Sequence, residues 1–119
     1  NKLDTLPASG GTKASIRYDI AQANFYLARI THPNSFSSSP TLNDSVAWTG
    51  SSVVGQVSVA GMSAYEAAKV ISPINVTTFD MTLAGSTWFT VSSTATYGYN
   101  KALPAGNYTA IIKADCIAK

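Results

Sequence analysis

The chain has 119 residues, of which 12% are charged and 45% hydrophobic, and its formal net charge at pH 7 is +2. This length suits one domain with one core, and the hydrophobic content argues against intrinsic disorder. The small net charge and the scatter of the eight Lys and Arg residues argue against nucleic-acid binding. No stretch approaches the roughly 20 apolar residues that cross a bilayer as a helix, so we expect no membrane span in this chain.

Residues 1–13 are predicted to form an extended N-terminal arm in front of a single domain at 14–119. Leu3 and Leu6 are the only large apolar residues of the arm, and Gly10-Gly11 interrupts it. The arm either stays flexible or pairs with a neighbouring subunit, in which Leu3 and Leu6 would fill apolar pockets. The chain begins without methionine, and we expect that a leader has been removed from an exported protein.

The first part of the domain is predicted to contain two strands followed by a long loop. Residues 14–20 alternate between apolar and polar side chains, which is typical of a half-buried strand. Residues 19–30 fit a helix or a strand, and we favour two strands separated by a short break. Residues 31–45 are rich in Ser, Pro and Asn, which predicts a surface loop.

The middle of the chain contains the one clear helix signal. A strand pattern begins at 46–48, is interrupted by a glycine, and resumes at 53–59. A short helix near 63–71 follows, because Ser63 with Glu66 has the spacing of a capping box and the intervening residues favour helix. A proline two residues further on ends it.

The C-terminal part shows three runs with a period of two residues, at 78–83, 87–94 and 108–116. The turn between the first two contains Gly85, which is free to adopt a positive φ. The three runs predict an antiparallel meander, and the alternation places Cys116 on the inward face of the last strand as a small buried hydrophobe. As the only cysteine it forms no disulfide within the chain.

Residues 103–109, Leu-Pro-Ala-Gly-Asn-Tyr-Thr, resemble the beginning of the final strand of immunoglobulin-like extracellular modules. Pilin head domains are similar in outline, with β-strands and a C-terminal strand that ends near a cysteine. The long apolar helix of type IV pilins is not present in these residues, so a pilin head of this kind would have its stalk removed or on another chain. The expected fold is mainly β: a single antiparallel β-sandwich, immunoglobulin-like or jelly-roll, with one short helix.

The residue types that carry catalysis or bind metal ions are not clustered. His32 and Cys116 are single and far apart, and the six acidic residues are isolated from one another. His32 lies in the Ser- and Pro-rich loop, where we expect a solvated side chain and not a general base. We therefore expect no catalytic residue, no metal or other cofactor, and no enzymatic activity.

Three aromatic residues are candidates for a binding surface: Trp48, Tyr97 and Tyr99. On loops at one end of a sandwich they could stack against sugar rings, so a carbohydrate- or receptor-binding module is the alternative function. Asn-x-Ser/Thr sequons make Asn43, Asn75 and Asn107 candidate glycosylation sites.

The function that the sequence favours is that of a non-enzymatic structural subunit of an extracellular assembly, such as a pilus-like filament, a surface layer or a virion decoration. This hypothesis rests on the low charge, the abundance of Ser and Thr, the N-terminal arm and the strands without a reactive centre. The expected partners are copies of itself or a companion filament or surface subunit, joined by strand addition at a sheet edge, with a glycan as a further candidate ligand. The expected location is extracellular or at the cell surface.

Overall fold

The computed structural model describes residues 2–5, 11–73, 75–98 and 101–119, and this part of the chain is mainly β. One short α-helix, α1, follows a turn of 3₁₀ helix. The elements in chain order are β1 (Lys2–Asp4), β2 (Ala14–Ile20), β3 (Tyr26–Thr31), β4 (Val46–Val57), the 3₁₀ helix (Ala60–Ala64), α1 (Tyr65–Ala68), β5 (Val70–Ile71), β6 (Val76–Met81), β7 (Gly85–Tyr97) and β8 (Lys113–Ala118).

The first sheet is built around β7, and all of its pairings are antiparallel. Strand β4 pairs with β7 from Val46 opposite Tyr97 to Val57 opposite Thr87, with a bulge near its end. Strands β1 and β2 pair with parts of the stretch of β7 that also pairs with β4. Because β4 occupies one edge of that stretch, β1 and β2 must both lie along the other edge. Gly85 begins β7 with a φ of +138°, which confirms the predicted turn with a left-handed glycine.

The second sheet has the strand order β5-β6-β3-β8 and is also antiparallel. It packs on the first sheet through Phe79 of β6 and Phe89 of β7, whose ring centroids are 4.2 Å apart. The rings of Tyr18 on β2 and Phe89 pack edge-to-face, with centroids 5.6 Å apart. The buried core therefore lies between two antiparallel sheets, which confirms the mainly β, sandwich-like fold expected from the alternating patterns.

The helix is shorter than the predicted 63–71, and the predicted capping box does not form. Ser63 lies inside the 3₁₀ helix, where its hydroxyl donates to the carbonyl of Ala60. Glu66 instead accepts a hydrogen bond of 2.8 Å from the backbone N–H of Val54 on β4. The carboxylate of Glu66 therefore bonds to a neighbouring strand and not to the N-terminus of its own helix. No helix in the described ranges has the length and apolar character to cross a bilayer.

The last strand begins later than the alternation predicted. Only β8 forms a ladder, whereas residues 108–112 contribute a single bridge between Thr109 and Ser38. Cys116 lies opposite the buried Ala28 but is exposed, so the prediction of a buried cysteine was wrong. The physical reason is that β8 is the outermost strand of its sheet, where side chains have a neighbouring strand on one side only.

The molecule is elongated. Its radius of gyration is 16.1 Å and its principal extents are 48 × 27 × 21 Å, whereas a compact domain of this length has a radius of gyration of about 13.5 Å. The elongation follows from β7, whose inner face contributes side chains to two separate regions. Phe89 and Val91 belong to the core between the sheets, whereas Ser93 and Ala95 line a cleft at the other end.

Candidate functional site

The cleft beyond the core has a volume of about 390 Å³ and a mainly apolar lining. The two sheets do not face each other here, because the second sheet covers only the Phe89 half of β7. Loop residues take its place without closing the space. The lining comes from β1 and Thr5, the loop after β3, β4, β7 and the segment before β8, and it includes Leu3, Phe36, Trp48, Ala95, Tyr108 and Ile112.

One wall of the cleft is a cluster of three aromatic rings. The ring of Phe36 packs edge-on against Trp48 with centroids 4.7 Å apart, and it contacts Tyr108 at 5.1 Å. The hydroxyl of Tyr108 donates a hydrogen bond to the carbonyl of Pro104. Trp48 and Tyr108 are only half-buried, so this wall presents aromatic surface toward the opening.

The opposite wall is the chain's own N-terminal strand. Leu3 lies opposite Ala95 in the ladder, and its side chain stays 37% exposed. The backbone N–H of Thr5 donates to the carbonyl of Ser93, and the N–H of Ser93 donates to Oγ1 of Thr5, both at 3.2 Å. The buried hydroxyl oxygen of Ser93 has no hydrogen-bond partner among the described residues.

His32 is 2% exposed, so the prediction of a solvated histidine was wrong. Its Nε2 atom shares a hydrogen bond of 2.9 Å with Oγ of the buried Ser52, while its Nδ1 atom has no partner in the described part of the chain. Gly50 allows this packing, because a Cβ atom there would lie 2.4 Å from Cγ of His32. Burial lowers the pKa of His32, so the ring is neutral at pH 7.

The His32–Ser52 pair does not have the accessibility that nucleophilic catalysis requires. Ser52 is also 2% exposed, and no carboxylate bonds to His32 within the described ranges. A small cavity of about 160 Å³ lies beside the ring and is bordered by Trp48 and Asn75. The hydrogen bond between His32 and Ser52 therefore holds the loop after β3 against β4, and neither side chain lines the larger cleft.

The structure places the three candidate binding aromatics in different settings. Trp48 lines the cleft, as described above. Tyr97 is buried, and its hydroxyl accepts a hydrogen bond of 3.0 Å from the backbone N–H of Asn43, so its ring is not presented to solvent. Tyr99 lies outside the described residues, as does Leu6 of the candidate assembly arm.

The three sequon asparagines also differ in their surroundings. Asn43 and Asn107 are exposed, and Asn107 borders the cleft. Asn75 is half-buried, and its side-chain amide donates to the carbonyl of His32 at 3.3 Å. A glycan on Asn75 would therefore have to break that bond, whereas the other two positions face solvent.

Sequence reasoning missed Phe36 and the role of residues 108–112. Phe36 and Leu42 are the two large apolar residues in the Ser-rich loop, and their presence there was a signal that the loop covers an apolar surface. Tyr108 and Ile112 were assigned to the inward face of a strand, but they lie before β8 and line the cleft, although Ile112 also packs against the core. Across the described ranges, no group of three or more His, Cys, Asp or Glu side chains could hold a metal ion.

Comparison with protein-family models, with curated proteins and with solved structures finds no match for this chain.

Proposed function

We propose that this protein is a non-enzymatic structural subunit of an extracellular assembly: a pilus-like filament, a surface layer or a virion decoration. The observation that carries the proposal is the combination of open sheet edges with an uncovered apolar cleft at one end of an elongated molecule. Exposed edge strands offer main-chain donors and acceptors to another chain, and an apolar cleft beside them adds side-chain contacts.

The segment at 108–112, Tyr-Thr-Ala-Ile-Ile, supports the same proposal. Its composition favours strand, yet it makes only one bridge and leaves Ile111 65% exposed. A segment of strand-like composition that is left without a ladder can pair with a strand of another chain. The outer face of the first sheet, in contrast, carries hydroxyl side chains such as Thr90, Ser92 and Thr94, which suit a solvated surface.

The proposal is tested by the assembly state of the purified protein, measured by light scattering and negative-stain microscopy over a range of concentrations. We expect oligomers or filaments from the full chain and their loss on deletion of residues 1–13. Leu3→Ser, which removes the apolar side chain that faces the cleft, should weaken assembly. Lys2→Ser is the matched control, because Lys2 points to the other face of the sheet. A monomer at every concentration would overturn the proposal.

The aromatic wall favours a second candidate function, a binding module for a carbohydrate or a surface receptor. The cleft volume falls within the range of small-ligand sites, and half-buried aromatic rings suit stacking on sugars. Titration with oligosaccharides, followed by tryptophan fluorescence, tests this function. Trp48→Ala should abolish the response. Trp88→Ala is the control, because Trp88 lies on the outer face beneath the Arg17 guanidinium. No response from the unmodified protein would remove this candidate.

A further inference from the structure

One edge of the first sheet is built from two separate pieces of chain. Strands β1 and β2 both run antiparallel to β7 along the same edge, one after the other. Thr5 lies opposite Ser93 and Ala14 lies opposite Val91. These positions are only two residues apart on β7, although residues 6–13 separate them in the sequence. The chain therefore leaves the edge after Thr5 and returns to it almost at the same place.

The return is tight where the chain comes back to the sheet. A Cβ atom on Gly11 would lie 2.7 Å from the backbone carbonyl carbon of Thr5, so only glycine fits against the main chain at this crossing. This close approach places Gly11 against Thr5, the residue directly after β1. Exchange of a terminal element between identical copies is a low-cost route to assembly.

Strand β1 is a short strand at the edge of its sheet. Its ladder consists of three residues, extended by the hydrogen bonds between Thr5 and Ser93. Leu3 is its one apolar side chain and remains 37% exposed. An element with so little buried surface opens at a small free-energy cost compared with global unfolding.

We infer that β1 is exchanged between copies of this chain. Lys2–Asp4 of one copy pairs with residues 94–96 of β7 in a second copy, and Leu3 enters the cleft of that second copy. The second copy is the partner because its β7 and cleft are identical to the surface that β1 already occupies here, so every ladder bond and the Leu3 contact are recovered. The inference rests on the proposed function and identifies the contact through which the subunits join.

The connecting segment is long enough for exchange. Residues 6–13 span up to about 30 Å between Thr5 and Ala14 when extended. Reciprocal exchange between two copies closes a dimer, whereas one-way exchange from each copy to the next produces an open filament. Both arrangements complete the cleft with a residue from another copy.

A cysteine pair reports directly on the origin of β1. In the variant L3C/A95C/C116S the two new thiols lie opposite each other in the ladder, at a separation that a disulfide bridges, and the exposed native cysteine is removed. The matched control is S15C/T90C/C116S, which pairs β2 with β7 and stays within one chain whether or not β1 is exchanged. Both variants are assembled, oxidised, denatured and resolved by non-reducing electrophoresis.

We expect covalent dimers or longer ladders from L3C/A95C/C116S and a covalent monomer from the control. A disulfide-bonded monomer from L3C/A95C/C116S, in a sample that light scattering shows to be assembled, would overturn exchange and leave the proposed function standing. The same applies if its thiols stay reduced while those of the control oxidise. An unmodified protein that is monomeric throughout would overturn both.

A second measurement requires no substitution. A synthetic peptide of residues 1–13, added to the unmodified protein as it is diluted and concentrated again, should occupy the β7 edge and lower the mass of the assemblies. A peptide with Leu3 replaced by Ser is the control and should have a weaker effect. Assemblies whose mass is insensitive to an excess of the first peptide would contradict exchange.

Discussion

The hydroxyl of Tyr18 on β2 donates a hydrogen bond of 2.9 Å to the backbone carbonyl of Asp115 on β8. This bond joins the edge of one sheet to the edge of the other, across 97 positions in the sequence. Like the apolar contact between Phe79 and Phe89, this hydrogen bond joins the two sheets. It holds the outermost strand of the second sheet against the core.

Tyr18→Phe should lower the free energy of unfolding by about 1 kcal/mol, because it removes the hydroxyl and leaves the carbonyl of Asp115 with one partner fewer. Urea denaturation followed by tryptophan fluorescence measures the change. Tyr26→Phe is the control, because that hydroxyl has no hydrogen-bond partner among the described residues. Equal effects of the two substitutions would mean that the bond to Asp115 does not stabilise the fold.

The stability of the fold should fall as the pH drops below about 6.5, the ordinary pKa of histidine. Burial lowers the pKa of His32, so the unfolded chain takes up a proton at a pH where the folded chain does not. The stabilising effect of the neutral ring is complete above the unfolded-state pKa and is lost as the pH falls through the lower folded-state pKa. The sequence contains one histidine, so the upper part of this pH range reports on its side chain, whereas carboxylates begin to contribute near the lower end.

The check is the urea midpoint of unfolding at several pH values between about 7 and 4.5. In His32→Gln, which keeps a polar side chain but does not titrate, the slope in the upper part of this range should disappear. If the unmodified protein and His32→Gln follow parallel curves, His32 is not buried in its neutral form.

Gly50→Ala should destabilise the protein by about 1–3 kcal/mol, because the added methyl group overlaps the ring of His32. The ring has to move, and its hydrogen bond to Ser52 is broken or lengthened. Gly61→Ala is the matched control: there the nearest atom is the end of the flexible Leu83 side chain, 3.1 Å away. Thermal unfolding of both variants measures the difference, and a Gly50→Ala protein as stable as the control would exclude the close packing of His32.

Glu66→Ala should destabilise the fold by about 1–3 kcal/mol, because the backbone N–H of Val54 loses its acceptor. Glu66→Gln keeps an oxygen in the same place and should cost less, although it gives up the ion pair with Lys69. Denaturant titration ranks the two variants. Similar losses from both would assign the effect to the charge of Glu66 and not to the hydrogen bond to β4.

The sequence predicted those elements whose signal is local. Alternation located β2, β6 and β7, and the glycine that begins β7 adopts the positive φ that its turn requires. The break between β2 and β3 was also anticipated. These features depend on side-chain spacing within one segment, which a single sequence displays directly.

The features that the sequence did not predict depend on which segments meet. Glu66 has the spacing of a capping residue, but its carboxylate is taken by β4, which lies twelve residues away in the chain. Residues 108–112 have the pattern of a strand, but no adjacent strand completes a ladder with them. The same alternation led to the wrong prediction that Cys116 is buried. The burial of His32 depends on the absence of a side chain at Gly50, on a different strand. Spacing along one segment contains no information about such partners.

The length of β7 has a mechanical consequence. Thirteen residues of extended strand span about 40 Å, which exceeds both shorter dimensions of the molecule, so β7 must run along the 48 Å axis. A pulling force along that axis would pass through a backbone that is already extended and has little slack. The ladder with β4 would be loaded in shear, so that its hydrogen bonds share the force instead of opening one after another. The subunit should therefore resist stretching along its length far better than separation of its two sheets.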